Sequence, residues 1–258
     1  MGRAAKLPSR YNYQPRRGCG EAALEARLGG GSVALKGLEG LGRPHYRGAE
    51  AYLYVIEWLG RKAVLKLRIP KRYRHPILDK RLRWRRTANE ARAILAAIRA
   101  GVNAPAIYYV DPVAGVIVME YIEAVSLYEV IEKEPEAAEQ YARRLGEAVG
   151  ILHGKGISHG DLTTSNVLAR DGDVYLIDFG LASLKSSERE QAVDVHLYLR
   201  SLESTHPEHV DTMLEAFLEG YRSVRGEAMA EKVMRLVHEI RLMGRYREER
   251  RTAWYQEE

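Results

Sequence analysis

The apolar positions of the chain change period twice. Ala51-Tyr52-Leu53-Tyr54-Val55-Ile56 and Ala63-Val64-Leu65-Lys66-Leu67 are β-rich runs, and Leu59-Gly60-Arg61 between them has the chemistry of a hairpin turn. The period then lengthens. From Thr87 on, the apolar residues at 91, 94, 95 and 98 predict one buried stripe on a helix, with Glu90 on its border. Val116–Met119 is an unbroken apolar run, and with Glu120-Tyr121-Ile122 after it the stretch predicts a buried strand. Pro135 starts a helix that reaches His153, with Tyr141, Leu145, Ala148, Val149 and Leu152 on its apolar face and Gly154 and Gly156 stopping it. Beyond Gln191, helical patterns cover about 192–203, 207–221 and 228–243. Strands therefore dominate the first part, with one helix among them, and helices the rest, an α+β arrangement.

Before Tyr46 the text is different. Gly29-Gly30-Gly31-Ser32 and Gly37, Gly40 and Gly42 punctuate residues 1–43, which read as a flexible extension containing at most a short helix at Glu21–Leu28. No apolar stretch approaches the roughly 18 residues that span a bilayer, and no apolar signal region is visible at the N-terminus. Cys19 is the only cysteine, which excludes an intrachain disulfide and a cysteine-rich zinc site and fits a reducing, cytoplasmic location.

Charge sharpens the picture in one place. The chain carries +5 overall, yet residues 61–86 hold twelve Lys or Arg against Asp79 alone, with Tyr73 and Trp84 interleaved. Its part between the second strand and the helix, Ile69–Arg86, is either the solvated start of that helix or a surface for RNA phosphates or an acidic partner. The end of the chain, Arg241 to Arg251, is either a frayed helix tail or a nucleic-acid contact.

The candidate chemistry sits in His159-Gly160-Asp161-Leu162-Thr163-Thr164-Ser165-Asn166 and Ile177-Asp178-Phe179-Gly180, each after an apolar run. Asn166 lies five residues after Asp161, and Asp178 twelve after that. Phosphoryl transfer needs a carboxylate near the attacking oxygen and Mg²⁺ held by a few hard oxygens. Asp161 suits the first role, and Asn166 and Asp178 the second. The order matches the kinase pattern His-Arg-Asp-Leu-x-x-x-Asn then Asp-Phe-Gly, with Gly160 in place of Arg. Lys66, on a predicted strand, suits gripping the α/β-phosphates of ATP once Glu90 pairs with it. Gly48, in Arg47-Gly48-Ala49-Glu50-Ala51, is either a plain turn or the one glycine of a phosphate loop. Glu120 and Ile122, where the strand ends, would offer backbone groups to an adenine. Asp194 opens a helix and serves either as its N-terminal charge or as a hydrogen-bond partner of the catalytic-loop backbone. No Ala-Pro-Glu follows, and no long activation loop fits before the next helix.

Together these residues resemble the small atypical kinase/ATPase subunit of the KEOPS complex over roughly residues 46–248. Pro70-Lys71-Arg72-Tyr73-Arg74-His75-Pro76-Ile77-Leu78-Asp79, Arg86-Thr87-Ala88-Asn89-Glu90-Ala91, Asp178-Phe179-Gly180-Leu181-Ala182 and Ser204-Thr205-His206-Pro207 carry the likeness. The resemblance implies a two-lobed protein-kinase-like fold, with a small β-rich N-lobe (44–120), a mostly helical C-lobe (121–250) and a tail (251–258). It implies ATP and Mg²⁺ between the lobes and a role in forming N6-threonylcarbamoyladenosine at position 37 of tRNA. It also implies a threonylcarbamoyl-transferase partner on the C-lobe, a small regulatory subunit on the N-lobe, and tRNA contact through residues 61–86 and the tail. Met243-Gly244-Arg245-Tyr246-Arg247 matches that family's basic tail only in part. A RIO-type kinase of ribosome assembly and a non-catalytic RNA-binding scaffold are the alternatives. Asp178-Phe179-Gly180 disfavours the first, and the complete set Lys66, Glu90, Asp161, Asn166 and Asp178 disfavours the second.

Overall fold

The computed structural model describes the chain from Leu41 to Trp254, with side chains described as far as Met243. The predicted helix at Glu21–Leu28, nearly all of the N-terminal extension and the side chains of the basic tail lie outside the described residues.

The N-terminal part is an antiparallel sheet. Strands β1 (Tyr46–Arg47), β2 (Ala51–Trp58), β3 (Arg61–Arg68), β4 (Ile107–Asp111) and β5 (Val116–Glu120) are ordered β1-β2-β3-β5-β4. The β2–β3 hairpin turns at Leu59 and Gly60, both at positive φ (51° and 75°), the two-residue turn that matches the twist of its strands. Lys66 lies opposite Leu53 on one side and Ile117 on the other. That register puts its side chain on the face of the sheet turned toward the helices.

Helix α1 runs from Pro76 to Arg99, eleven residues earlier than the apolar period predicts. Proline at the first helical turn supplies the start, and Leu, Lys and Arg are good helix formers, so residues 76–86 of the basic segment are helix. The buried face is also shifted. Ala88, Ala91, Ile94 and Ala97 are inside, whereas Leu95 and Ile98 are 44% and 40% exposed. Alanines, which carry little apolar signal, make the close contact with the rest of the fold.

The C-terminal part is helical: α2 (Leu127–Lys133), α3 (Pro135–Gly154), α4 (Glu188–Thr205), α5 (Val210–Arg225) and α6 (Glu227–Trp254). A small antiparallel sheet of β6 (Val125–Ser126), β7 (Val167–Arg170) and β8 (Asp173–Leu176) accompanies them. Ser126 caps α2, and Ser187 with Glu190 forms a reciprocal capping box on α4. Helices α3 and α5 cross with their backbones almost touching. A β-carbon on Gly146 would sit 2.8 Å from the Tyr221 nitrogen, and one on Gly220 would sit 3.0 Å from that of Glu147. The main core joins α3, α5 and the start of α6, and Ile94 and Ala97 of α1 belong to it. Helix α1 thereby ties the sheet to the helical part. Among the described residues no helix is long and apolar enough to cross a membrane.

Candidate active site

Between the sheet and the helices lies a cavity of about 380 Å³, lined among others by Gly48, Glu50, Lys66, Arg68, Asp161 and Asp178. Its sheet wall is built from β3. Lys66 Nζ donates to Glu90 Oε1 at 2.6 Å and to Asp178 Oδ1 at 2.8 Å. Glu90 projects from α1 and is fully buried, and a buried carboxylate needs such paired cations. Its second oxygen accepts from Arg68 Nη2 at 2.5 Å. Arg68 was not singled out from the sequence, although the strand period of two puts it on the same face as Lys66.

The opposite wall is the loop from Ser158 to Asn166. Asp194, on α4, fixes it by accepting from the backbone N–H of His159 (2.6 Å) and of Gly160 (2.7 Å). His153 Nε2 lies 3.2 Å from the same carboxylate. Of the two sequence readings of Asp194, the catalytic-loop role is the one observed. His159 is buried. Its Nδ1 accepts from the Asp161 N–H (3.3 Å), so its Nε2 is the ring donor, toward the Ile177 carbonyl (3.1 Å). One imidazole thus spans the two motifs, and it packs on Phe179 at 4.7 Å between ring centroids.

Gly160 has φ +80°, and a β-carbon there would lie 2.7 Å from the carbonyl carbon of Leu181 and nearer still to its oxygen. The arginine of the usual pattern has no room in this loop. Asn166 Nδ2 donates to the Asp161 carbonyl (2.8 Å) and to Asp161 Oδ2 (2.9 Å), which orients that carboxylate. The amide oxygen, Oδ1, is buried and has no hydrogen-bond partner. Asp178 takes φ +63°, a conformation that Asp tolerates better than most residues. A buried acceptor without a donor beside an aspartate is the donor set a hard cation such as Mg²⁺ takes, completed by phosphate oxygens and water.

Of the residues expected at the site, the fold brings Gly48, Lys66, Asp161 and Asp178 to one cavity. Glu90 and Asn166 join it through direct bonds to Lys66 and Asp161. Glu120 and Ile122 do not line this cavity. The Glu120 N–H donates to the Ala106 carbonyl at 2.8 Å, and the Ile122 side chain packs with Leu168 and Ile177.

The basic segment has its own anchor. Asp79 accepts from Arg83 Nε (2.8 Å) and from the Lys71 N–H (3.2 Å), with Arg74 nearby. Burial pushes the Asp79 carboxyl up, but Arg83, the Lys71 N–H and Arg74 outweigh it and hold the group below its ordinary value. The lone acid among twelve cations is therefore the residue that shapes the segment.

The protein kinase domain family matches residues 83–212. The KEOPS complex subunit Bud32 of Pyrococcus abyssi (strain GE5 / Orsay) is 44% identical over 209 residues, which are 78% of this chain and 95% of that protein. The EKC/KEOPS complex subunit Tp53rkb of Mus musculus is 39% identical over 236 residues, covering 87% and 94%. A probable bifunctional tRNA threonylcarbamoyladenosine biosynthesis protein of Methanoculleus marisnigri is 48% identical over 78% of this chain, which spans only 35% of that longer protein. Among solved structures, an ADP/Mg²⁺-phosphoaspartate complex of the Rio2 kinase from Chaetomium thermophilum superposes with a TM-score of 0.55 at 18% identity, over 77% of this chain and 70% of that one. That likeness concerns the fold, which is protein-kinase-like with the sheet N-terminal and the helices C-terminal. With near-complete coverage of relatives at 39% and 44% identity and a kinase domain across half its length, this chain belongs to the Bud32 family of protein-kinase-like proteins.

Proposed function

We propose that the chain is an atypical Ser/Thr kinase and ATPase working within a KEOPS assembly. In this reading it hydrolyses ATP, and phosphorylates itself, in support of N6-threonylcarbamoyladenosine formation at position 37 of tRNA. One observation carries the reading: Lys66, fixed by buried Glu90, reaches Asp178 across a cavity that Asp161 also lines. Bound Mg²⁺ would neutralise phosphate charge. Asn166 and Asp178 would hold it. Lys66 grips the phosphates, and Asp161, oriented by Asn166, positions the attacking hydroxyl or water. Glu120 and Ile122 would present backbone groups to the adenine, and Gly48 lets the β1–β2 turn lie close to the phosphates.

The KEOPS and tRNA parts of the proposal are supported by what the relatives are called. In this reading a threonylcarbamoyl-transferase subunit would bind the C-lobe (121–250) and a small regulatory subunit the N-lobe (44–120). The basic residues of 61–86 and the tail would meet tRNA in the cytoplasm. The likeness to the Rio2 kinase extends to the fold only, and Phe179-Gly180 after the metal aspartate argues against a RIO-type role.

The test is Mg²⁺-dependent ATP hydrolysis by the chain alone, with the transferase partner, and with tRNA. Turnover should rise with the additions, and Asp161→Ala should lower it by about 10²–10⁴-fold, the usual worth of a positioned base, with the melting transition unchanged. Turnover retained by Asp161→Ala refutes the catalytic role. A rate indifferent to both additions refutes the complex-dependent part, and failure to bind ATP turns the assignment toward a scaffold.

A further inference from the structure

The sheet wall of the cavity carries more positive charge than one phosphate-gripping lysine provides. The Arg68 side chain is 6% exposed, and it lines the cavity two residues beyond Lys66. Its Nη1 lies 3.8 Å from Glu50 Oε2, and its Nε is buried without a hydrogen-bond partner. Arg74, from the segment before α1, reaches Glu50 Oε1 at 3.4 Å, and Arg86 of α1 makes a short ion pair with Glu50 Oε2. One carboxylate, on the turn from β1 to β2, thus sits among three guanidinium groups. That is the surrounding a phosphate group takes, because each guanidinium offers a planar fork of N–H donors.

The two carboxylates on this wall differ in kind. Glu90 is 1% exposed at its side chain and is shared by Lys66 and Arg68, so it is a fixed counter-ion. Glu50 is 38% exposed and belongs to a short turn at the mouth of the cavity, so it can leave. The turn itself has little else to offer an anion. Its one glycine, Gly48, has spent its N–H on the Ala51 carbonyl at 2.9 Å. Donors that a three-glycine loop would draw from its backbone must come from elsewhere, and the guanidinium groups stand where they are needed.

We propose that Arg68 is a second phosphate-binding cation beside Lys66, and that Glu50 holds the place of the outer phosphates of ATP until they displace it from Arg68 and Arg86. One anion replaces another, so the exchange leaves no buried cation unpaired. The turn bearing Glu50 is released as the nucleotide enters. This inference rests on the reading of the cleft as a Mg·ATP site.

The experiment is calorimetric titration of the full chain with ATP and with adenosine, in Mg²⁺, for the wild type and for Arg68→Gln, Arg68→Lys, Arg86→Gln and Glu50→Gln. Arg68→Gln and Arg86→Gln should each weaken ATP by roughly tenfold or more, the scale of one charge-assisted hydrogen bond, and leave adenosine unchanged. Arg68→Lys should recover part of the loss. Glu50→Gln should tighten ATP severalfold, because the competing charge is gone. Arg86 is one-third exposed, so its variant folds even if the Arg68 changes disturb Glu90. Equal weakening of ATP and adenosine, unchanged ATP affinity in both arginine variants, or weaker ATP binding by Glu50→Gln would overturn the assignment. A wild type that takes no ATP defeats the nucleotide reading itself, whereas wild-type binding with unaffected arginine variants defeats only this inference.

Discussion

Replacing Gly160 by alanine isolates why this loop lacks the arginine that kinases usually place beside the catalytic aspartate. Two costs add. A residue other than glycine at φ +80° loses about 1–2 kcal/mol to the clash of its own β-carbon. That β-carbon also falls 2.7 Å from the Leu181 carbonyl carbon and 3.0 Å from the Leu181 β-carbon, and such overpacking typically costs about 1–3 kcal/mol. The loop cannot slide away, because the Gly160 N–H is held by buried Asp194 at 2.7 Å. The expected loss is therefore about 2–5 kcal/mol. Leu181 follows Asp178-Phe179-Gly180 directly, so any yielding moves the metal-holding aspartate, and ATP turnover should fall further than stability alone accounts for. Gly160→Arg, which restores the usual pattern in writing, should be no better than alanine. Urea unfolding followed by fluorescence gives the midpoint and its slope, and turnover is measured well below the midpoint. An alanine variant within about 0.5 kcal/mol of wild type, the range of an indifferent surface change, would refute the packing argument.

Other outcomes follow from the same contacts. Glu90→Ala leaves Lys66 and Arg68 buried without their shared carboxylate and should cost about 3–5 kcal/mol in chemical denaturation; a loss below 1 kcal/mol would mean the cluster is solvated. Asp194→Asn keeps the shape but removes a charge that accepts from two backbone N–H groups, so a loss of about 2–3 kcal/mol with lowered turnover is expected from melting and rate measurements, and unchanged turnover would count against its hold on the loop. His206 is buried, and burial holds its imidazole below its ordinary value. The unfolded chain therefore binds the proton first as pH falls below about 6.5, and stability drops from there until the folded value is passed. Melting curves from pH 7.5 to 5 should show a shallower decline for His206→Gln, and equal slopes would remove His206 as a contributor.

Much of the site could be read from one dimension. Asp161, Asn166 and Asp178 are set by short spacings, and the Lys66–Glu90 pair follows from placing a strand lysine beside a helix glutamate. What escaped was signalled weakly or not at all. Alanines 88 and 97 join Ala91 and Ile94 on the buried face of α1, in place of the expected Leu95 and Ile98. The charge of residues 76–86 hid a helix that Pro76 starts. Nothing in the linear text singles out Arg68 and Glu50, whose part follows only from three distant segments meeting around them.

The linear text determined the β2–β3 hairpin with its turn at Leu59-Gly60, strand β5, the existence of the long helices and the two motifs, because these depend on neighbours a few residues apart. Only the folded chain decided that Gly160 must be glycine, that Glu90 serves two cations and that Asp194 holds a loop 34 residues before it. Those facts arise from contacts between segments far apart in the chain, where burial and charge act through space.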